Sequence, residues 1–174
     1  MKLRVFLLSL VATAQLGVPG FMIYQQEAAL EHGRVFKFHT APVDPYDAFR
    51  GRYVALSFQD DTVTTKDKFP PDTQVWATLE EDEKGFARIQ SISREKTAGD
   101  NVMPVEVQWG DATTTTVKFP FDRYYMNETA APAAEAAYRA SNRNGQQNSY
   151  VTVRVLHGVA ALEKLYVNDK PVGP

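Results

Sequence analysis

The first clear pattern along the chain is an uninterrupted apolar run near the N-terminus. No residue from Val5 to Tyr24 carries a charge, whereas Lys2 and Arg4 lie directly before the run. An apolar helix of about 20 residues is long enough to span the roughly 30 Å hydrocarbon layer of a membrane. Because the positive charges lie on the short N-terminal side, we expect that side in the cytoplasm and the rest of the chain outside it. Residues 1–26 are therefore predicted to be an uncleaved transmembrane signal-anchor.

Two other interpretations of this run stay open at the level of sequence. Ala12-Thr13-Ala14 has the small-x-small form of a signal-peptidase site, although cleavage there would leave a signal of only about 14 residues. The run would also suit the buried helix of a soluble protein. Gly17, Pro19 and Gly20 make the helix imperfect, and membrane helices tolerate such residues when neighbouring helices satisfy the freed backbone groups. These three residues indicate either a membrane partner or a slightly kinked lone anchor.

Further along, the pattern changes to short segments in which apolar and polar positions alternate. Alternation with a period of two is typical of strands that bury one face. Such segments occur at 52–58, 74–80, 86–92, 102–109, 113–119, 150–156 and 160–167. Turn signals join two hairpins, with Gly85 in the first turn and His157-Gly158 in the last. An Ala-rich stretch from 130 to 140, with Pro132 near its start, predicts one short helix.

These patterns predict three parts of the chain. After the anchor, residues 27–42 are expected to form a helical or extended stalk, since Pro42 and Pro45 exclude a continuous helix. Residues 43–174 are expected to form one extracytoplasmic β-domain, large enough for a single hydrophobic core. The predicted fold class is mainly β: a small barrel or sandwich of antiparallel strands with one short helix, plus the N-terminal transmembrane helix.

Composition narrows the possible classes of function. The formal net charge of the 174-residue chain is −2, so no basic surface indicates nucleic-acid binding. Cysteine is absent, which excludes disulfides, thiolate metal sites and a cysteine nucleophile. The three histidines lack the spacing of a zinc site, and neither a serine-nucleophile motif nor a phosphate loop occurs. We therefore expect no enzyme activity, no metal and no cofactor.

One polar segment, which runs from Asp44 to Arg50, lies directly before the strand predicted at 52–58. Its acidic residues Asp44 and Asp47, with Asp60 and Asp61 after the strand, could bind a divalent cation or act as an acid–base pair. Their spacing fits no calcium loop, however, and aspartate is favoured in turns because it bonds to nearby backbone. Arg50 could pin the turn by pairing with Asp44 or Asp47, or it could help to form a docking surface.

The strand that follows carries a recognisable motif. Gly51-Arg52-Tyr53-Val54-Ala55-Leu56-Ser57-Phe58 is similar to the pattern G-D-Y-x-x-L-x-Y, which names a bacterial family. Gly51, Tyr53 and Leu56 match the pattern, whereas Arg52 replaces its aspartate and Phe58 its last tyrosine. An arginine would abolish any metal-ligand or general-base role of that aspartate, and a phenylalanine cannot supply a hydroxyl. Both departures favour packing over chemistry.

Other segments extend the resemblance to most of the chain. Val43-Asp44-Pro45, Asp47 and Arg50 resemble the family's longer form V-D-P-x-D-x-x-R-G. Tyr124-Tyr125-Met126-Asn127-Glu128 resembles a second segment, an aromatic pair followed by proline-glutamate, with Asn127 in place of the proline. The last predicted hairpin and the residues after it resemble the C-terminus of the family. The chain thus resembles the GDYXXLXY family, which has no established activity.

The resemblance implies a place and a partner for the protein. Members are typically anchored in the bacterial inner membrane beside polytopic membrane proteins, so the β-domain is expected in the periplasm as an accessory subunit. The expected docking surface is centred on Asp44, Asp47, Arg50 and Tyr53, with Tyr125 and Glu128 adjacent. A periplasmic module that binds a small molecule or glycan is the alternative. A hydrolase that uses Asp47 or Glu128 is a weaker one, because no nucleophile can be identified.

Overall fold

The computed structural model of the chain describes residues 2–41, 53–58, 61–111, 113–125 and 149–172. It begins with a single helix, α1 (Lys2–His32), which is 31 residues long and contains Pro19. The side chains from residue 6 to residue 27 are exposed. Only the end of the helix packs against the rest of the protein, where Ala29 is fully buried.

Twelve strands follow among the described residues. They are β1 (Arg34–Ala41), β2 (Tyr53–Ala55), β3 (Ser57–Phe58), β4 (Thr62–Thr64), β5 (Gln74–Glu81), β6 (Ala87–Ser93), β7 (Val102–Gly110), β8 (Thr114–Lys118), β9 (Arg123–Tyr125), β10 (Ser149–Leu156), β11 (Val159–Val167) and β12 (Lys170–Val172). The chain is therefore mainly β, as the alternating pattern predicts.

The strands form two five-stranded sheets and one two-stranded ribbon. The first sheet has the order β12-β11-β10-β1-β3, the second has the order β4-β8-β7-β5-β6, and the ribbon pairs β2 with β9. All pairings are antiparallel. Because β1 contacts β6 while β10 and β11 contact β7, the sheets close on each other as a near-barrel.

One hydrophobic core fills the space between the sheets. The inward positions of β1 and β10 alternate with outward ones, so that Phe36, Phe38 and Val153 are almost fully buried. They meet buried residues of the second sheet such as Val75 and Leu79 within a single cluster. This alternation of buried and exposed positions is what a strand that covers one face of a core requires.

The stalk predicted over residues 27–42 is wrong. Residues 27–32 continue α1, and Arg34–Ala41 form β1, which lies inside the first sheet between β10 and β3. Phe36 and Phe38 explain the difference, since each is only 1% exposed and contributes to the core. Six of the predicted strands are confirmed as β5, β6, β7, β8, β10 and β11. The helix predicted at 130–140 lies outside the described residues.

Candidate functional site

The sequence predicts one continuous strand at 52–58. In the structure this segment is divided, and it passes from the ribbon to the first sheet. Its first half is β2, which pairs with β9, and its second half is β3, which pairs with the end of β1. Leu56 lies between the halves, where its backbone N–H donates a hydrogen bond to the carbonyl of Asp122 at 2.9 Å. The Leu56 side chain is 7% exposed and belongs to the core. Leu56 therefore fixes the point at which the motif segment passes from the ribbon to the first sheet.

The last motif residue, Phe58, packs in a cluster of phenylalanines. Its ring centroid lies 5.2 Å from that of Phe119, 5.4 Å from that of Phe121 and 6.1 Å from that of Phe38, in each case edge to face. Edge-to-face pairs at these distances stabilise cores beyond the area that they bury. The expected packing role of Phe58 is confirmed.

The ribbon brings the two motif segments together. Tyr53 and Tyr125 are opposite each other in the register of β2 and β9, and Val54 is opposite Tyr124. Tyr124 is 8% exposed, and burial raises the pKa of its hydroxyl. Segments that are about 70 residues apart in the chain thus form one structural unit, as their proposed adjacency requires.

Two adjoining clefts open beside the second half of the motif. The smaller has a volume of about 220 Å³, and the larger has a volume of about 440 Å³. Lys118, Phe119 and Asp122 line both clefts. The smaller is also lined by Leu56, Ser57, Phe58, Asp61, Gln108 and Val117, and the larger by Asp72, Gln74, Pro104, Val105, Glu106 and Pro120.

Charge in the clefts is mainly negative. Lys118 is the lysine among the lining residues, and its Nζ lies 3.6 Å from Oδ2 of Asp122. Both side chains are nearly half exposed, so this ion pair contributes little to stability. Among the residues that the structure describes, no three His, Asp or Glu side chains come together as metal ligands. The lining of the clefts suits a polar or cationic group.

A profile of the GDYXXLXY protein family matches residues 15–165. The chain belongs to the GDYXXLXY family. The match includes both motif segments and the part of α1 from Gln15 onward. No curated protein and no solved structure matches the chain.

The family motif is only partly visible in the structure. Asp44, Asp47, Arg50, Gly51 and Glu128 lie outside the described residues, as does Asp60. For Tyr53 and Tyr125 the description covers the strand register alone. The docking role of these residues therefore stays a prediction. Lys118 and Asp122 beside the GDYXXLXY strand were not predicted, because only the pairing of distant strands brings them to it.

Outside the motif, a close approach at Gly33 joins α1 to the first sheet. The N–H of Gly33 donates to the carbonyl of Ala29 at 2.8 Å and extends the helical hydrogen bonding by one residue. A Cβ at Gly33 would touch that carbonyl and would lie 3.0 Å from Cβ of Arg154 and 3.1 Å from the backbone N of Val155. The absence of a side chain therefore allows the helix end to lie directly on β10.

Arg154 adds hydrogen bonds and an ion pair to this contact between α1 and the first sheet. Its Nη1 donates to the carbonyl of Gly33 at 3.3 Å, while Nε and Nη2 each lie 3.0 Å from Oε1 of Glu163. Arg154 is on β10 and Glu163 is on β11. One guanidinium group thus connects the end of α1 to both strands of the last hairpin.

The helix itself is long and apolar enough to cross a membrane. The segment Phe6–His32 has 27 residues, its most apolar stretch of 18 residues has a mean hydropathy of 1.8, and none of that stretch is buried against the rest of the described chain. That exposure argues against the buried helix of a soluble protein, whose apolar residues would contact a core.

Proposed function

We propose that this GDYXXLXY protein is a non-enzymatic accessory subunit of a polytopic membrane protein. In this proposal α1 anchors the chain in the bacterial inner membrane with its N-terminus in the cytoplasm, and the β-domain lies in the periplasm. The observation that carries the proposal is the helix: its apolar side chains are exposed, yet its end is fixed firmly to the domain. An exposed apolar surface of this length requires lipid or protein around it.

The geometry of the junction supports an action at the membrane surface. Tyr24 ends the apolar run, and Ala28 is the first residue after it that is partly buried by the domain. Four residues of helix measure about 6 Å. Because β1 starts directly after Gly33, no flexible stalk separates the domain from the bilayer. The domain would be held against the headgroups, where the short periplasmic loops of a polytopic protein lie.

Within the domain, the motif region is the proposed docking surface. The pairing of Tyr53 with Tyr125 brings the two motif segments together in this region. Segment 42–52, which contains Asp44, Asp47 and Arg50, is attached to β2 at one end and to β1 at the other. In this proposal the charged residues of that segment supply specific polar contacts to a partner.

Anchoring and topology can be tested on the full-length protein in its native membrane. We expect the chain to resist extraction by alkaline carbonate, to keep its N-terminal residues, and to be digested by protease added to spheroplasts. Release by carbonate would contradict anchoring. Loss of the first ~14 residues would instead identify a cleaved signal peptide, and protection from protease in intact spheroplasts would contradict the periplasmic location.

A second candidate function rests on the clefts beside the motif. Their combined lining is polar and mainly negative, which suits a cationic small molecule or a glycan. A ligand that binds only the folded state raises the melting temperature. A thermal-shift screen of envelope components tests this candidate, and a shift that is lost in Asp122→Ala, which removes a carboxylate from both clefts, would favour it. A broad screen with no shift would contradict it.

A further inference from the structure

The apolar part of α1 contains one amide side chain, that of Gln15. It lies at the middle of the uncharged run from Val5 to Tyr24, and its side chain is exposed. In hydrocarbon an amide without a hydrogen-bond partner is costly, and such residues commonly bond across helices. Thr13 differs, because its hydroxyl already donates to the carbonyl of Ser9 at 2.8 Å.

Pro19 frees a second polar group at the same place. In an α-helix the carbonyl of residue 15 accepts its hydrogen bond from the N–H of residue 19. Proline has no N–H, so the Gln15 carbonyl lacks that bond. One residue at the middle of the span thus presents both a side-chain amide and a backbone carbonyl. Neighbouring helices commonly supply hydrogen-bond partners for such groups in membranes.

Gln15 faces the side of α1 on which the β-domain lies. It precedes Gly33 by 18 positions, which is about five full turns at 3.6 residues per turn. Gly33 and Ala29 are the residues of the helix end that are buried against the first sheet. The same face also carries Leu8, Met22 and Gln26, while the opposite face carries Phe6, Ser9, Thr13, Gly20 and Tyr24.

We propose that the face of α1 centred on Gln15 packs against one transmembrane helix of the polytopic partner, directly beneath the β-domain. The inference rests on the proposed function and specifies which face of α1 contacts the partner within the membrane. The partner helix would carry a side chain that donates a hydrogen bond, since the free Gln15 carbonyl requires a donor. The domain above would then cover the periplasmic end of that same helix.

A second copy of this chain fits the face poorly. Two parallel helices that pack through it would have axes about 8–10 Å apart. Each helix carries its domain on the packing side, and a domain of this size has a radius of gyration of about 14 Å. Both domains would therefore occupy the same space above the interface. A partner helix with short loops avoids this clash.

Site-specific photocrosslinking of the full-length protein in its native membrane tests the proposal. A benzophenone-bearing residue is introduced singly on the Gln15 face, at Leu8, at Met22 or at Val11, which lies about one turn before Gln15. The matched controls are positions of similar depth on the opposite face, Phe6, Thr13 and Tyr24. We expect one adduct of constant mass, whose added polypeptide is polytopic, from the first three positions and not from the controls.

Every other pattern overturns the proposal. Adducts from both faces, adducts from the opposite face alone, an adduct of twice the chain's own mass, or no adduct would each contradict it. Because the chain contains no cysteine, Gln15→Cys adds an independent check. A disulfide-linked homodimer under oxidation would assign the face to a second copy.

A matched pair of variants separates this inference from the proposed function. Gln15→Leu should reduce co-purification of the partner about threefold to tenfold, as measured for interhelical hydrogen bonds in membranes. Thr13→Val should leave it unchanged, and Gln15→Asn should restore part of it. If Gln15→Leu recovers as much of the partner as the wild type does, the inference about the Gln15 face is overturned but the proposed function is not. Absence of any polytopic partner with wild type would overturn the proposed function.

Discussion

The ion pair between Arg154 and Glu163 provides a sharp test of how the end of α1 is held. Its N–O distances are 3.0 Å, and each side chain is 26% exposed. A second pair, Arg34 with Glu81, has an even shorter distance of 2.8 Å, but its side chains are 52% and 41% exposed. The two pairs therefore share their chemistry and differ in burial. If burial determines the strength of an ion pair, Arg154 with Glu163 is the stronger of the two.

The expected magnitudes follow from these exposures. Exposed ion pairs contribute about 0–1 kcal/mol to stability, whereas hydrogen bonds to charged groups contribute about 1.5–3 kcal/mol. After discounting for the remaining solvent exposure, we expect a coupling energy of about 1.5 kcal/mol for Arg154 with Glu163. For Arg34 with Glu81 we expect about 0.5 kcal/mol.

Double-mutant cycles measure both coupling energies. One cycle uses Arg154→Met, Glu163→Gln and the double variant, and the control cycle uses Arg34→Met, Glu81→Gln and their combination. Urea unfolding of the full-length protein in mild detergent can be followed by fluorescence of the half-buried Trp76. If the coupling energy of Arg154 with Glu163 is no larger than that of Arg34 with Glu81, the reasoning that burial strengthens the ion pair is refuted.

Three further predictions concern the domain. Phe58→Ala should lower the free energy of unfolding by about 2–3 kcal/mol through lost ring packing, and Phe58→Tyr by less than about 1 kcal/mol; equal losses in thermal melts would contradict this. Gly158→Ala should destabilise more than Gly85→Ala, because both φ angles are positive but only at Gly158 would the new Cβ collide with Trp76, at 2.8 Å; equal shifts in urea midpoint would refute that difference. Hydrogen bonds from Thr113 and Thr114 backbone N–H groups lower the pKa of Asp111 to about 2. Since this is below the unfolded value of about 3.9, the stabilisation is present above pH ~4 and lost toward pH ~2, and Asp111→Asn should flatten that part of the stability–pH curve; an unchanged curve would contradict the assignment.

Local pattern was sufficient for the strands that belong to hairpins. β5 with β6 and β10 with β11 combine alternating residues with a turn residue at positive φ, Gly85 in the first case and His157-Gly158 in the second. Short sequence separation links each strand to its partner, so the pattern and the turn specify the pairing together.

The pattern was insufficient where a strand depends on distant partners. Arg34–Ala41 alternates as clearly as other strands, but its partner β10 lies more than 100 residues later. Its position next to the anchor favoured a stalk, and only the pairing with β10 makes it an interior strand. The split of the motif strand has the same origin, because β2 and β3 pair with different partners.

The candidate site shows the same division. The packing roles of Leu56 and Phe58 could be inferred from alternation and from the missing hydroxyl. The clefts lined by Lys118 and Asp122 could not, since β8 and the segment before β9 reach the motif only through the folded topology. Side chains that meet through such long-range pairing leave no signal in local spacing.

The central claim is that the protein binds a polytopic membrane protein through its motif region. The most direct measurement is purification of the full-length protein from its native membrane in mild detergent, with light crosslinking and mass spectrometry. We predict one polytopic protein in stoichiometric amount, lost with Arg50→Ala and kept with the neighbouring control Arg52→Ala, while both variants keep the wild-type melting temperature. A clean monomer, or equal recovery with Arg50→Ala, would contradict the account.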